Sequence, residues 1–442
     1  MERSHGCYPR QRIGSRPTRG AHRKHHRRDG RIYASFHLQY GANDRFNRSG
    51  YPSAMKPFAD IPSQIPRSGI REIMDMAWAV EKEKPVIHLE VGQPDFATPE
   101  HIVDATCRYV REGHTKYVPN AGVNTLREAA ARYFHQRSGI ETSSDNILVT
   151  PGAVMGIASA FFSLLEPRDE VLLPDPGWPN YNMAASLIHA KPVFYDLRAD
   201  HQFLPDIDQI DHLVTPRTKL LLLCTPSNPT GQVYDAEVMG ALMQLANRHD
   251  LWVLSDEIYA DITFGDGHIS ALQHDTDGRT LIVSGMSKSY AMTGYRVGFT
   301  RGPLDYIELA SKLQEPFVSC GTGFSQLASA EALDGAQNCV VEMRDAYAKR
   351  MQIALDILRE YGLYRYSPGG AIYLLIDIAP SGLNSHDFAT RLLQEKGVAV
   401  APGSTFGAMC ADHVRISIAA SEDHIRRGVT GICEMIRALE VA

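Results

Sequence analysis

"TLIVSGMSKSYAMTGYRVGFTRG", residues 280–302, opens on a run of aliphatic residues, breaks at Gly285, sets one lysine, Lys288, among small residues, and closes on a second apolar run after Arg296. Both runs read as strands. Almost no helix separates them, so the second is expected to run antiparallel to its neighbours. Lys288 then sits just past the end of a strand.

The same alternation extends upstream. "NILVT" (146–150), "EVLLP" (170–174), "KPVFYDL" (191–197), "KLLLLC" (219–224) and "WVLSD" (252–256) read as strands, separated by stretches such as "GAVMGIASAFFSLLE" and "DAEVMGALMQLANRHD" that are apolar at helical spacing. Strands alternating with helices predict an α/β fold, a mostly parallel seven-stranded sheet flanked by helices on both faces. After about residue 335 the pattern changes to a long helix, "NCVVEMRDAYAKRMQIALDILREYG", then "GGAIYLLIDI", "GVAVAPG", "HVRISI" and a closing helix, which reads as a smaller α+β domain. The expected division is a basic tail (1–54), an arm belonging in part to the small domain (55–98), a large domain (99–334) and a C-terminal small domain (335–442).

With 442 residues, 44% hydrophobic and 22% charged, the chain can bury an ample core and is expected to be soluble and globular. No run approaches the roughly 18 apolar residues of a membrane span, and the N-terminus lacks the apolar stretch of a secretion signal. Seven scattered cysteines without a C-x-x-C pair fit a reducing compartment, with no disulfide framework and no metal site expected. The compartment expected is the cytoplasm, or an organelle if the Arg-rich start is a transit segment. Charge is uneven: the first 54 residues hold twelve Lys/Arg against three acids, a net +9 in a chain of −6, which leaves −15 for the rest. An acidic body argues against nucleic acid as a partner. "HRKHHRRDGR", with His22, His25 and His26, has the make-up of a solvated segment more than of an RNA, membrane or metal site.

Polar residues gather at the strand ends. Thr150 and Gly152 follow the first run, Trp178 the second, and Asn228 follows "KLLLLC"; Asp256 ends "WVLSD" and Lys288 follows "TLIVSG". In open parallel sheets ligands bind beyond the carboxyl ends of the strands, so these residues are expected to meet in one crevice. Singly, each has a plainer role: "SNPTG" (227–231) a turn, Asp256 a helix cap, Trp178 a core aromatic, Lys288 a snorkelling surface lysine. Together at strand ends they point to chemistry. A lysine amine that loses its proton forms Schiff bases with carbonyls, and a carboxylate can hold a pyridine nitrogen protonated, the two needs of pyridoxal 5'-phosphate. "TPGAV" (150–154), opening a helix, offers a phosphate backbone N–H groups and a positive helix end, and Arg296 offers a bidentate fork.

From about Met55 onward the chain resembles the class I pyridoxal-phosphate aminotransferases of fold type I. "SGMSKSYAMTGYRVG" fits that family's lysine signature, and "VGQPDFATP" (91–99), "YVPNAGVNTLREA" (117–129), "SNPTG", "SDEIY" (255–259) and "VRISIA" (414–419) occur in family order. The resemblance implies that Lys288 carries the cofactor and, once displaced by substrate, moves the proton from the substrate Cα; both jobs need a partly neutral amine. It implies Asp256 on the pyridine nitrogen, Asn228 and Tyr259 on the ring oxygen, and Trp178 stacked on the ring. Gly152, Ala153, Val154, Ser287 and Arg296 would surround the phosphate. Tyr117 would reach the phosphate of a neighbouring subunit, making a homodimer part of the site. Arg415 would grip the substrate α-carboxylate, close to Gly92, with Asn228 and Trp178 also facing the substrate. "PRSGIRE" (66–72) is expected at the mouth, with Ile70 near the substrate side chain.

Two positions depart from the family pattern. Gly285 stands where many relatives carry a phosphate-binding serine, leaving Ser287 or backbone groups to substitute. Val154 stands where some dicarboxylate-specific relatives have a lysine, and no arginine or lysine stands out as a reader of a second carboxylate. The expected reaction is therefore amino transfer from a neutral, aliphatic or aromatic L-amino acid to a 2-oxo acid such as 2-oxoglutarate or pyruvate, with ping-pong kinetics. Its rivals are β-elimination or synthase chemistry on the same fold and, more remotely, a non-catalytic regulator or scaffold, against which the retention of Lys288 and Asp256 speaks.

Overall fold

Along "KLLLLC" the leucines alternate: Leu220 and Leu222 pack on one side of the sheet, Leu221 and Leu223 on the other, and all four are fully buried. A strand apolar at every position is what a sheet covered on both faces requires. The structure is a computed structural model that describes residues 58–65 and 67–440. The basic tail expected over residues 1–54 lies outside the described residues.

The strands are β1 (Ile87–His88), β2 (Ile147–Thr150), β3 (Glu170–Asp175), β4 (Lys191–Asp196), β5 (Thr218–Cys224), β6 (Trp252–Asp256), β7 (Thr280–Gly285), β8 (Gly298–Arg301), β9 (Tyr373–Asp377), β10 (Val398–Ala399), β11 (Ala401–Pro402) and β12 (His413–Ser417). Seven of them form the main sheet in the order β2-β8-β7-β6-β5-β3-β4. The pairs from β4 through β7 are parallel, whereas β8 is antiparallel to both β7 and β2. That is the expected sheet with the expected reversed strand. β8 begins at Gly298, two residues later than the sequence pattern suggests, because Arg296 adopts left-handed backbone (φ 56) and ends the preceding turn.

One face of this sheet is covered by the helices Ala153–Leu164, Pro179–Leu187 and Leu304–Val318, whose Phe161, Tyr181 and Tyr306 join Leu148, Leu173 and Leu254 in one core. The opposite face receives the helices Asn124–Ser138 and Ala236–Arg248 through Phe134, Met239 and Leu242. Tyr133, Phe134 and Phe299 meet edge to face there, with ring centroids 5.4–5.7 Å apart. Past the main sheet, β11, β12 and β9 form a three-stranded antiparallel sheet that sets Arg415 opposite Leu375 and Ser417 opposite Tyr373. β1 pairs in parallel with β10, so the chain before residue 98 is tied to the C-terminal region. Among the described residues no helix is long and apolar enough to cross a membrane.

Because β8 runs backward, its first residue lies at the same sheet edge as the carboxyl ends of β2 and β7: Gly298 is paired with both Thr150 and Gly285. The approach is so close that a Cβ on Gly298 would lie 2.4 Å from the Ala153 nitrogen and 2.5 Å from the Gly152 carbonyl carbon. Both atoms are backbone and cannot turn aside. Gly298→Ala should accordingly cost about 1–3 kcal/mol through overpacking, measured as a fall in the urea midpoint at unchanged slope.

Candidate active site

The turn Met286–Ser289 follows β7 directly and carries Lys288, whose Nζ donates to the Gly92 carbonyl at 2.6 Å and lies 5.8 Å from the centre of the Tyr259 ring. Asp256, the last residue of β6, is buried; Tyr181 donates its hydroxyl to Oδ2 at 2.7 Å and the Ile258 N–H donates to Oδ1 at 3.2 Å. No cation is paired with this carboxylate among the described residues. Burial pushes the Asp256 carboxyl up to about 6, against the pull of its two hydrogen bonds and, more weakly, of Lys288. Tyr259, also buried, shares a hydrogen bond of 2.7 Å with the Tyr373 hydroxyl, and burial holds its phenol well above the ordinary range.

Arg415, in the middle of β12, is the largest of the fully buried side chains. Its Nη1 donates to Asn228 Oδ1 at 3.2 Å and its Nη2 to the Glu90 carbonyl, while the guanidinium carbon lies 4.3 Å from the Tyr373 ring centre and 4.7 Å from that of Phe406. Nε, equally buried, has no protein partner. Burial lowers the Arg415 pKa, but an arginine keeps its charge in proteins. Arg415 lines the cavity, and a buried guanidinium with an unpartnered donor has an unmet need for an acceptor.

At the far side, Gly152 (φ 80) caps the helix Ala153–Leu164, and Arg296 lies across it. Arg296 donates to the carbonyls of Thr293 (3.1 Å) and Pro151 (3.4 Å) and has no acid partner among the described residues. Gly285 packs against backbone: a Cβ there would lie 2.8 Å from Gly298 Cα and 2.9 Å from the Val297 carbonyl oxygen. The close approach of β8 therefore excludes a side chain at 285, whereas buried Ser287 lines the cavity.

One cavity of about 440 Å³ unites these groups. Of the residues the sequence put forward, Ile70, Gly92, Ala153, Val154, Trp178, Asn228, Asp256, Tyr259, Ser287, Lys288, Arg296 and Arg415 line it. Gly152 lies behind the wall it helps to shape. Tyr117 stands away from the cavity, with 91% of its surface exposed. Sequence reasoning missed Tyr181, Tyr373 and Arg71, which also line the cavity. Tyr373 lies within "GGAIYLLIDI", Arg71 within "PRSGIRE", and Tyr181 three residues after Trp178, but nothing local marks any of them as facing the same space.

The family profile described as aminotransferase class I and II matches residues 84–432. The chain belongs to that family. Its enzymes depend on pyridoxal phosphate, and this aminotransferase is a transaminase of that kind. It is 36% identical over 364 residues to an aspartate aminotransferase of Pyrococcus horikoshii, covering 82% of this chain and 92% of the relative. It is 35% identical over 377 residues to aromatic-amino-acid aminotransferase 2 of Thermococcus litoralis, covering 84% and 96%. Among solved structures, the aspartate aminotransferase of Thermus thermophilus with maleate superposes with a TM-score of 0.83 at 33% identity, over 86% of this chain and all of the other.

The cavity of this aminotransferase suits the cofactor on its own evidence: a buried carboxylate with no cation and an arginine with no acid among the described residues, the arginine beside a helix N-terminus, and a lysine amine on the same cavity wall. The Asp256 value of about 6 exceeds the ordinary 3.8. Its contribution to folding is thus complete below pH 3.8 and is lost as pH rises through 6. In cofactor-free protein, the stability of Asp256→Asn relative to the native chain should grow between about pH 4 and pH 7, by up to ~3 kcal/mol. Urea midpoints of both proteins at acid and neutral pH measure this, and a difference that does not change with pH would place the ionisation elsewhere.

Proposed function

We propose that this aminotransferase passes the amino group of an amino acid to a 2-oxo acid in two half-reactions that share the cavity around Lys288. When bound, pyridoxal phosphate supplies an electrophilic aldehyde and a ring that accepts the electron pair left at the substrate Cα. Lys288, whose Nζ donates to the Gly92 carbonyl and lines the cavity, would hold the cofactor through its amine and would act as the base that holds the proton taken from the substrate Cα. Asp256 would hold the ring nitrogen protonated, with the Tyr181 hydroxyl on Oδ2 keeping that carboxylate oriented. Asn228 and Tyr259 would serve the ring oxygen, and Trp178, on the same cavity wall, would pack on the ring. The helix N-terminus at Gly152, Ala153 and Val154, with Arg296 and Ser287, serves the phosphate. Arg415 takes the α-carboxylate in the open donor position of its guanidinium, next to Gly92 and Asn228. The observation that carries this reading is the meeting of Lys288, Asp256 and buried Arg415 on one cavity.

An aromatic or other neutral donor with a diacid such as 2-oxoglutarate as acceptor fits the site, and the names of the relatives include both aromatic and acidic amino acids. The elimination alternative is not favoured, since the relatives are named aminotransferases. We place Tyr117 at the phosphate of a partner subunit in a homodimer; its exposure supports this, as do Phe162 and Phe317, which stack 5.1 Å apart while 40% and 53% exposed. We also read residues 99–334 as the large domain and 335–442 with part of 55–98 as the small one, supported by the pairing of β1 with β10. A cytoplasmic location is supported by Cys107, Cys224, Cys320, Cys339, Cys410 and Cys433, none in a disulfide.

Titrating the holoenzyme with single amino acids, without any oxo acid, tests the function. A true donor should convert the cofactor's violet absorbance to the ultraviolet band of its aminated form, and release of ammonia and pyruvate instead would favour elimination. Lys288→Ala should bind cofactor yet lose turnover by at least ~10²–10⁴-fold. Sedimentation at micromolar concentration should show a dimer, and a purely monomeric active enzyme would remove Tyr117 from the site.

A further inference from the structure

Arg71 stands in the first turn of the helix Gly69–Val80 and forms part of the wall of the cavity that holds Lys288 and Arg415. Among the described residues its guanidinium has one side-chain hydrogen bond, Nη1 to the Met74 sulfur at 3.6 Å, and a thioether is a poor acceptor. The acids close by in sequence are engaged elsewhere: Asp75 pairs with Arg67, and Glu72 faces His386 at 3.9 Å. Charges on the cavity wall are unbalanced, with Arg71, Lys288, Arg296 and Arg415 against the single carboxylate of Asp256. Under the function proposed above, on which this inference rests, Lys288 bonds to the cofactor, Asp256 serves its ring nitrogen, Arg296 its phosphate and Arg415 the α-carboxylate. Arg71 alone is left without a counter-charge.

We propose that Arg71 is a specificity-determining residue that receives the second carboxylate of dicarboxylic substrates, namely 2-oxo diacid acceptors and acidic amino donors. A carboxylate matches the planar fork of a guanidinium with two parallel hydrogen bonds, a geometry that Met74 cannot offer. Val154 leaves the helix N-terminus without a lysine for this purpose, so the charge comes from a different element. Arg71 is also exposed and weakly held, and can swing toward solvent when an apolar side chain occupies the same space. One cavity can in this way alternate between a neutral or aromatic donor and a diacid acceptor, as a ping-pong enzyme must.

The test uses unreactive acids on the holoenzyme, succinate against butyrate, with binding followed by titration calorimetry. The native enzyme should prefer succinate. Arg71→Gln should weaken succinate by on the order of tenfold more than it weakens butyrate, and Arg71→Lys should recover part of the preference. Equal losses for the two acids, or a native enzyme that binds them alike, would overturn the assignment. Failure of the underlying function reads out differently: then no amino acid changes the cofactor absorbance at all. If amino acids do change it while the Gln variant keeps its preference for succinate, only the role of Arg71 falls.

Discussion

A carboxylate buried at the end of a central strand, with one donor on each oxygen and no cation paired with it among the described residues, sets the terms for the rest of the site. Asp256 is costly to ionise in that place, since burial disfavours its charged form. Tyr181 and the Ile258 N–H offset part of that cost, and both depend on the sheet: Tyr181 is buried beneath the strand ends, and Ile258 follows β6 in the chain. Under the proposed function, a cationic ring nitrogen brought in with the cofactor would offset the remainder. A buried carboxylate that is costly to ionise is the kind of group that functional sites collect.

Backbone proximity is the second constraint. β8 passes so close to the ends of β2 and β7 that neither Gly298 nor Gly285 has room for a Cβ. That contact brings Arg296, the turn at 150–153 and the lysine turn into one small volume. It also accounts for the missing hydroxyl at 285 in physical terms, and under the proposed function the helix N-terminus, Arg296 and Ser287 would take the phosphate. Arg415 enters from the separate sheet of β9, β11 and β12, and is locked by Asn228, the Glu90 carbonyl and two aromatic faces. The Tyr259–Tyr373 hydrogen bond joins the same two regions.

Much of this was legible beforehand. Strand runs apolar on every residue can only belong to a sheet covered on both sides, and the shortness of the segment between β7 and β8 leaves no length for a crossover helix, so the reversed strand followed from counting residues. The residues at the strand ends were legible as a set because parallel sheets gather their carboxyl ends at one edge. Tyr181, Tyr373 and Arg71 were not. An aromatic in an apolar stretch reads as core, and an arginine in the first turn of an amphipathic helix reads as solvated; which way each side chain points depends on the packing of elements distant in sequence.

The sequence by itself determined the layer order, the positions of Lys288 and Asp256 at strand ends, and membership in a family of transaminases, because these depend on local periodicity and on residue types at fixed spacing. Tertiary structure alone decided how the charges balance. Whether a guanidinium meets an acid, a sulfur or an open cavity depends on contacts between residues hundreds of positions apart, such as Arg415 with Glu90, and no local pattern encodes them.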